Sequence, residues 1–149
     1  MKRQEKYPET STFHYYNANP HNRVTTDCVI RAESVALGIP YEQVVLENAQ
    51  LQCKTGFSGD DTKGVAKYME LKGWNKHPQP RKDDGTKYTV REFCQRLAKP
   101  GERYVVSMAG HLVAVVDCKA WDIWDCTNAL YTKCVGNYWK PQSENEVQL

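Results

Sequence analysis

The sequence predicts a single α+β domain, a helical N-terminal half packed on a C-terminal antiparallel sheet. Apolar residues recur at helical spacing between residues 28 and 97, and from residue 103 the period changes to two. A third observation bounds the size: a chain of 149 residues buries roughly 68–70% of its unfolded surface in one core. The expected domain runs over 1–149, with 1–12 and 140–149 as flexible ends.

Residues 1–24 are polar and aromatic without a steady period and read as an extended arm packed on the domain. Thr25, Thr26 and Asp27 then lead into CVIRAESVALG (28–38). Its apolar residues cover most of a helix circumference, and Gly38 supplies the stop, so a buried central helix starts at Cys28. Pro40 opens a second helix, YEQVVLENAQLQ (41–52), and Val65, Tyr68, Met69 and Leu71 mark a third that ends at Gly73. Residues 74–87, punctuated by Pro78, Pro80 and Gly85, suit a long loop or an edge strand. Thr89 and Glu92 form a capping box for a short fourth helix. Strands are expected over Arg103 to Met108, Gly110 to Asp117 and Ala120 to Asp125, with a further one between Tyr131 and Trp139.

Composition narrows the function. Twenty basic residues against 18 acidic ones give a net charge of +2, and the isoelectric point of 8.2 lies below the range of dedicated nucleic-acid binders. No apolar stretch approaches the ~20 residues of a membrane span, and the charged, polar N-terminus has no apolar signal core. The expectation is therefore a cytoplasmic protein with neither a nucleic-acid nor a membrane partner. Six cysteines are dispersed with no C-x-x-C pair, which argues against a zinc site of standard spacing. No cofactor is expected, and most of the thiols should be reduced.

Cys28 stands out because it opens a helix. The positive end of the helix dipole and unpaired N–H groups there favour a thiolate and offer an oxyanion site. A buried cysteine acting only as a small hydrophobe is the ordinary alternative. His111, at the start of a strand, can face such a helix end across a cleft and is the candidate base, although a lone strand histidine is more often a hydrogen-bonded packing residue. A carboxylate on the next strand could fix its tautomer. Asp125 and Asp122 are both available: a three-residue hairpin loop puts Asp125 on the His111 face, and a two-residue turn reverses the parity and favours Asp122. Asp125 is preferred at this point because it lies nearer the His111 end of the hairpin.

A helix-start cysteine, a strand-start histidine about eighty residues on, and an acid on the following strand resemble the papain-like cysteine peptidases over residues 13–139. More narrowly, TDCVIRA (26–32), GHLVAVVD (110–117), DIWDC (122–126) and VGNYW (135–139) are similar to small, mostly uncharacterised papain-fold proteins of bacteriophages and Gram-positive bacteria. The resemblance implies a cysteine protease fold and a Cys28, His111, Asp125 triad. The substrate would be a protein or peptide, cut at a peptide or isopeptide bond. A shell that binds protein without turnover is the alternative. Papain-like enzymes place a glutamine amide in the oxyanion hole shortly before the cysteine. Here Asn22 takes that place in sequence, with Asn19 behind it.

Overall fold

The structure, a computed structural model, describes residues 1–143. It is an α+β fold around a six-stranded mixed sheet. In chain order the elements are α1 (Arg3–Lys6), β1 (Phe13–Tyr15), α2 (Cys28–Leu37), α3 (Tyr41–Thr55), α4 (Thr62–Leu71), β2 (Trp74–His77), α5 (Val90–Glu92), β3 (Arg103–Met108), β4 (His111–Val116), β5 (Lys119–Asp122) and β6 (Val135–Pro141). A π-helical turn, Phe93–Leu97, prolongs α5. The sheet order is β1-β5-β4-β3-β6-β2. No helix among the described residues is long and apolar enough to cross a membrane.

The division into a helical half and an antiparallel half is only partly kept. β1, from the expected arm, pairs in parallel with β5 at one edge, and β2 pairs antiparallel with β6 at the other. Three residues carry too little alternation to reveal a strand, and the pairing of β1 depends on partners more than a hundred residues away. The remaining neighbours are antiparallel. The first twelve residues, expected to be flexible, hold α1 and are tied to the domain. Arg3 Nε donates to the Ile123 carbonyl at 2.6 Å, and buried Thr12 bonds the Thr127 hydroxyl at 2.7 Å. Of the expected C-terminal tail, 140–141 complete β6, and 144–149 lie outside the described residues.

Strand alternation divides the core. Tyr104, Val106, Val113, Val115 and Val135 pack with Val90, Phe93 and Cys94 on one sheet face. Val105, Leu112, Ala114 and Trp139 pack on the other with Ala32 and Ala36 of α2, Val44 of α3 and Val65, Tyr68 and Met69 of α4. Covering both faces buries four of the six residues in each of β3 and β4, and so fixes their register, because a one-residue slip would exchange the two apolar sets. The helix boundaries follow local chemistry. Gly38, at φ 67°, provides the left-handed stop of α2. Thr89 and Glu92 form the expected capping box.

α2 also buries two charged residue types that its apolar pattern hides, Arg31 and Glu33. Glu33 is wholly buried, and one carboxyl oxygen accepts from Asn48 Nδ2 at 3.0 Å. Its other oxygen and Asn48 Oδ1 have no partner in the carboxylate form, which suits a protonated acid paired with an amide. Burial raises the Glu33 carboxyl to about 8, against the opposing pull of Asn48. A raised carboxyl pKa means that the folded chain holds a proton which the unfolded chain releases. The stability this proton gives is complete below the unfolded value of 4.5 and is lost progressively up to about pH 8. Glu33→Gln removes that loss. Thermal melts should show the variant stabilised over the wild type at pH 8, by a few kcal/mol in order of magnitude, with the difference shrinking toward pH 5.

Candidate active site

α2 begins where β4 begins and β5 ends, so Cys28, His111 and Asp122 come from three elements that meet at one end of the sheet. The hairpin between β4 and β5 decides which acid is used. Val116 pairs with Lys119 and Ala114 with Trp121, leaving a two-residue turn of Asp117 and Cys118, both at positive φ (51° and 66°). That geometry matches the right-handed twist of the flanking strands. Carried one step further, the register sets Asp122 opposite Val113, one diagonal step from His111. Asp122 Oδ2 bonds His111 Nε2 at 2.5 Å.

The expected third member, Asp125, is therefore replaced by Asp122. Asp125 lies beyond the end of β5, and its carboxylate accepts from the Thr127 N–H at 2.8 Å and hydroxyl at 2.6 Å. That turn in turn holds Thr12. Asp125 thus anchors the N-terminal arm and lies away from the imidazole.

With Nε2 committed to Asp122, Nδ1 is the His111 nitrogen open to Cys28. The two groups interact. Burial alone would raise the Cys28 thiol, but hydrogen bonding with His111 and with the Leu112 backbone, and the nearby charges of His111 and Arg31, bring it below its usual value. Burial alone would lower His111, but hydrogen bonds to Asp122 and Cys28 raise it to about 9. Both shifts favour a thiolate beside an imidazolium. Trp124 packs on the imidazole, ring centroids 4.9 Å apart, and limits water around the pair. Cys94, Cys118 and Cys126 go the other way. Burial raises all three thiols, Cys94 to about 12. All six cysteines are free.

Behind Cys28, His111 and Asp122 lies a network built on Arg31, one turn into α2. Arg31 Nη1 donates to Asp122 Oδ1 at 2.6 Å and Arg31 Nε donates to Asp27 Oδ1 at 2.8 Å. Asp27 Oδ2 accepts from the Tyr41 hydroxyl at 2.6 Å and from Asn19 Nδ2 at 3.1 Å. Burial works against the Asp27 charge, yet these donors hold its carboxyl below the usual value. With both oxygens occupied, Asp27 makes no side-chain cap on α2 although it stands at the N-cap. The i,i+4 spacing of Asp27 and Arg31, inside an apolar helix, was the sequence signal for this network.

Cys28 and His111 open into a cleft of about 440 Å³. Val29, Val65, Met108, Leu112 and Trp139 give it apolar walls, and Thr26, Asp60, Thr62, Ser107 and Asn137 give it polar ones. The two asparagines expected at the oxyanion hole do not line it. Asn19 is buried and spends its amide on Asp27, while its oxygen accepts from the His21 N–H at 2.9 Å. Asn22 is exposed in a turn at φ 52° and bonds Asn17. Their sequence distance from Cys28 is absorbed by a turn, Asn22 N–H to Asn19 carbonyl at 2.9 Å, which keeps both away from the thiol. Thr26, marked in the sequence only as part of the lead into α2, lines the cleft from that side. No group of three or more His, Cys, Asp or Glu side chains among the described residues is placed to hold a metal ion.

In comparisons with known proteins, no family, no curated protein and no solved structure matches this chain.

Proposed function

We propose that the chain is a papain-like cysteine hydrolase that cleaves a peptide or isopeptide bond in a protein substrate. The observation that carries this reading is the Cys28, His111, Asp122 series, with its lowered thiol and raised imidazole, at the wall of a cleft. The Cys28 thiolate attacks the substrate carbonyl carbon, and the carbonyl electron pair moves onto oxygen. The Cys28 backbone N–H and the α2 N-terminus stabilise that oxyanion, and Thr26, two residues before Cys28, lines the same cleft. The oxyanion collapses, the C–N bond breaks, and the His111 imidazolium gives its proton to the departing amine. Neutral His111 then takes a proton from water, which attacks the thioester and releases the acid and the thiolate. Asp122 holds the imidazole orientation throughout. A phage or bacterial cytoplasmic setting, suggested by the sequence resemblance, belongs to the same proposal.

One observation favours a second reading, a binding module without turnover: neither Asn19 nor Asn22 reaches the cleft to complete an oxyanion hole. The two differ in Cys28 chemistry. Under limiting iodoacetamide, with peptide mapping by mass spectrometry, Cys28 should alkylate at least about tenfold faster than exposed Cys53 and Cys134 at neutral pH. His111→Ala should abolish the preference. Equal labelling of all accessible thiols would overturn the hydrolase reading and leave the binding module.

A further inference from the structure

We infer that Asp60 sets substrate specificity in the cleft and that the site takes a peptide residue with a long cationic side chain, lysine or arginine. The inference rests on reading the cleft as a cysteine hydrolase site. Apart from the Cys28 and His111 pair, Asp60 is the only ionisable side chain among the described residues that lines it. Five carboxylates are matched to cations among the described residues, Asp27 and Asp122 to Arg31, Glu47 to Lys72, Glu92 to Lys82 and Glu9 to Lys119, and none of these five lines the cleft. Asp60 has no ion pair among the described residues and accepts only from the Ser58 hydroxyl. Lys63 and Lys67, which follow it on α4, turn toward the Phe57 ring, at 5.5 and 5.8 Å from its centroid.

The segment that carries Asp60 is built to stay in place. A Cβ at Gly59 would meet Asn48 Oδ1 at 2.6 Å, and one at Gly64 would meet the Ser58 carbonyl oxygen at 1.9 Å. The loop is therefore pressed onto both α3 and α4 at positions that only glycine fits. Asp61 caps α4 through the Lys63 N–H at 2.8 Å. An exposed carboxylate without an ion pair, in a cleft that Val65 and Trp139 also line, offers both halves of a lysine or arginine side chain a place. The aliphatic stem loses water against the apolar wall, and the charged head meets Asp60. A glutamate in the same position would face like charge.

Peptidyl chloromethyl ketones test this without a known substrate. Each probe carries lysine, norleucine or glutamate at one of the three residues preceding the reactive carbon. Its rate with Cys28 is divided by the iodoacetamide rate of the same variant. At one position lysine should exceed norleucine by about tenfold, with glutamate slowest. Asp60→Asn should bring the lysine to norleucine ratio near one, and Asp60→Lys should move the preference to glutamate. No preference at any position, or one that survives Asp60→Asn, overturns the role of Asp60 while leaving the hydrolase reading standing. Iodoacetamide that fails to favour Cys28 overturns the hydrolase reading, and the specificity with it.

Discussion

Asp122→Asn should slow iodoacetamide alkylation of Cys28 at neutral pH by about tenfold to a hundredfold, whereas Asp125→Asn should leave it within about twofold of the wild type. The size follows from what Asp122 supplies. An opposite charge this close shifts a partner's pKa by about 1–3 units, and each unit is about a factor of ten in the stability of the charged form. Taking the carboxylate away lets burial dominate His111, whose pKa then falls from about 9. The thiolate loses its cation, and Cys28 moves back toward an ordinary buried thiol. Because the two groups titrate together, the measured profile belongs to the pair. In the wild type the alkylation rate should stay high well below the ordinary thiol value of 9.0. In Asp122→Asn its lower limb should move to higher pH. Asp125→Asn weakens the bonds to Thr127, so its effect should be on melting temperature. A variant pair with these outcomes exchanged would restore the assignment that the sequence favoured.

That exchange shows where the sequence was sufficient and where it was not. Cys28 and His111 were legible because each lies at a boundary that local chemistry marks, a helix start after Asp27 and a strand start after Gly110. The choice of acid depended on one loop length. A two-residue turn needs positive φ at both Asp117 and Cys118, and cysteine gives no signal for that conformation, so the parity could not be read. Arg31 was passed over because α2 was judged by its apolar residues alone, yet a charge on a helix buried all round must find a partner. The asparagines were placed by counting back from Cys28, and a turn at Asn22 that the count cannot register sends both elsewhere.

Arg31→Met should destabilise the fold by about 3–5 kcal/mol, the range for removing one partner of a buried ion pair. The guanidinium is nearly inaccessible, its side chain 7% exposed, and so are its two acids, at 9% for Asp27 and 1% for Asp122. Methionine fills a similar volume and leaves Asp27 with no cation and Asp122 with the His111 imidazolium alone. Adding Asp27→Asn to Arg31→Met removes one stranded charge while keeping an acceptor for Tyr41, and should recover part of the loss. The pH dependence separates this from a packing defect. Asp27 is held below its usual value, so its contribution is present above the unfolded value of 3.8 and is lost as pH falls through the folded one. The gap between wild type and Arg31→Met in urea melts should therefore narrow in acid, where a cavity or a clash would keep it constant. Arg31 also contributes to the positive field at Cys28. Folded Arg31→Met should alkylate more slowly at neutral pH, with the lower limb of its profile displaced upward as in Asp122→Asn. A variant that loses stability but keeps the wild-type alkylation profile would confine Arg31 to holding α2 on the sheet and leave the thiolate to His111 alone.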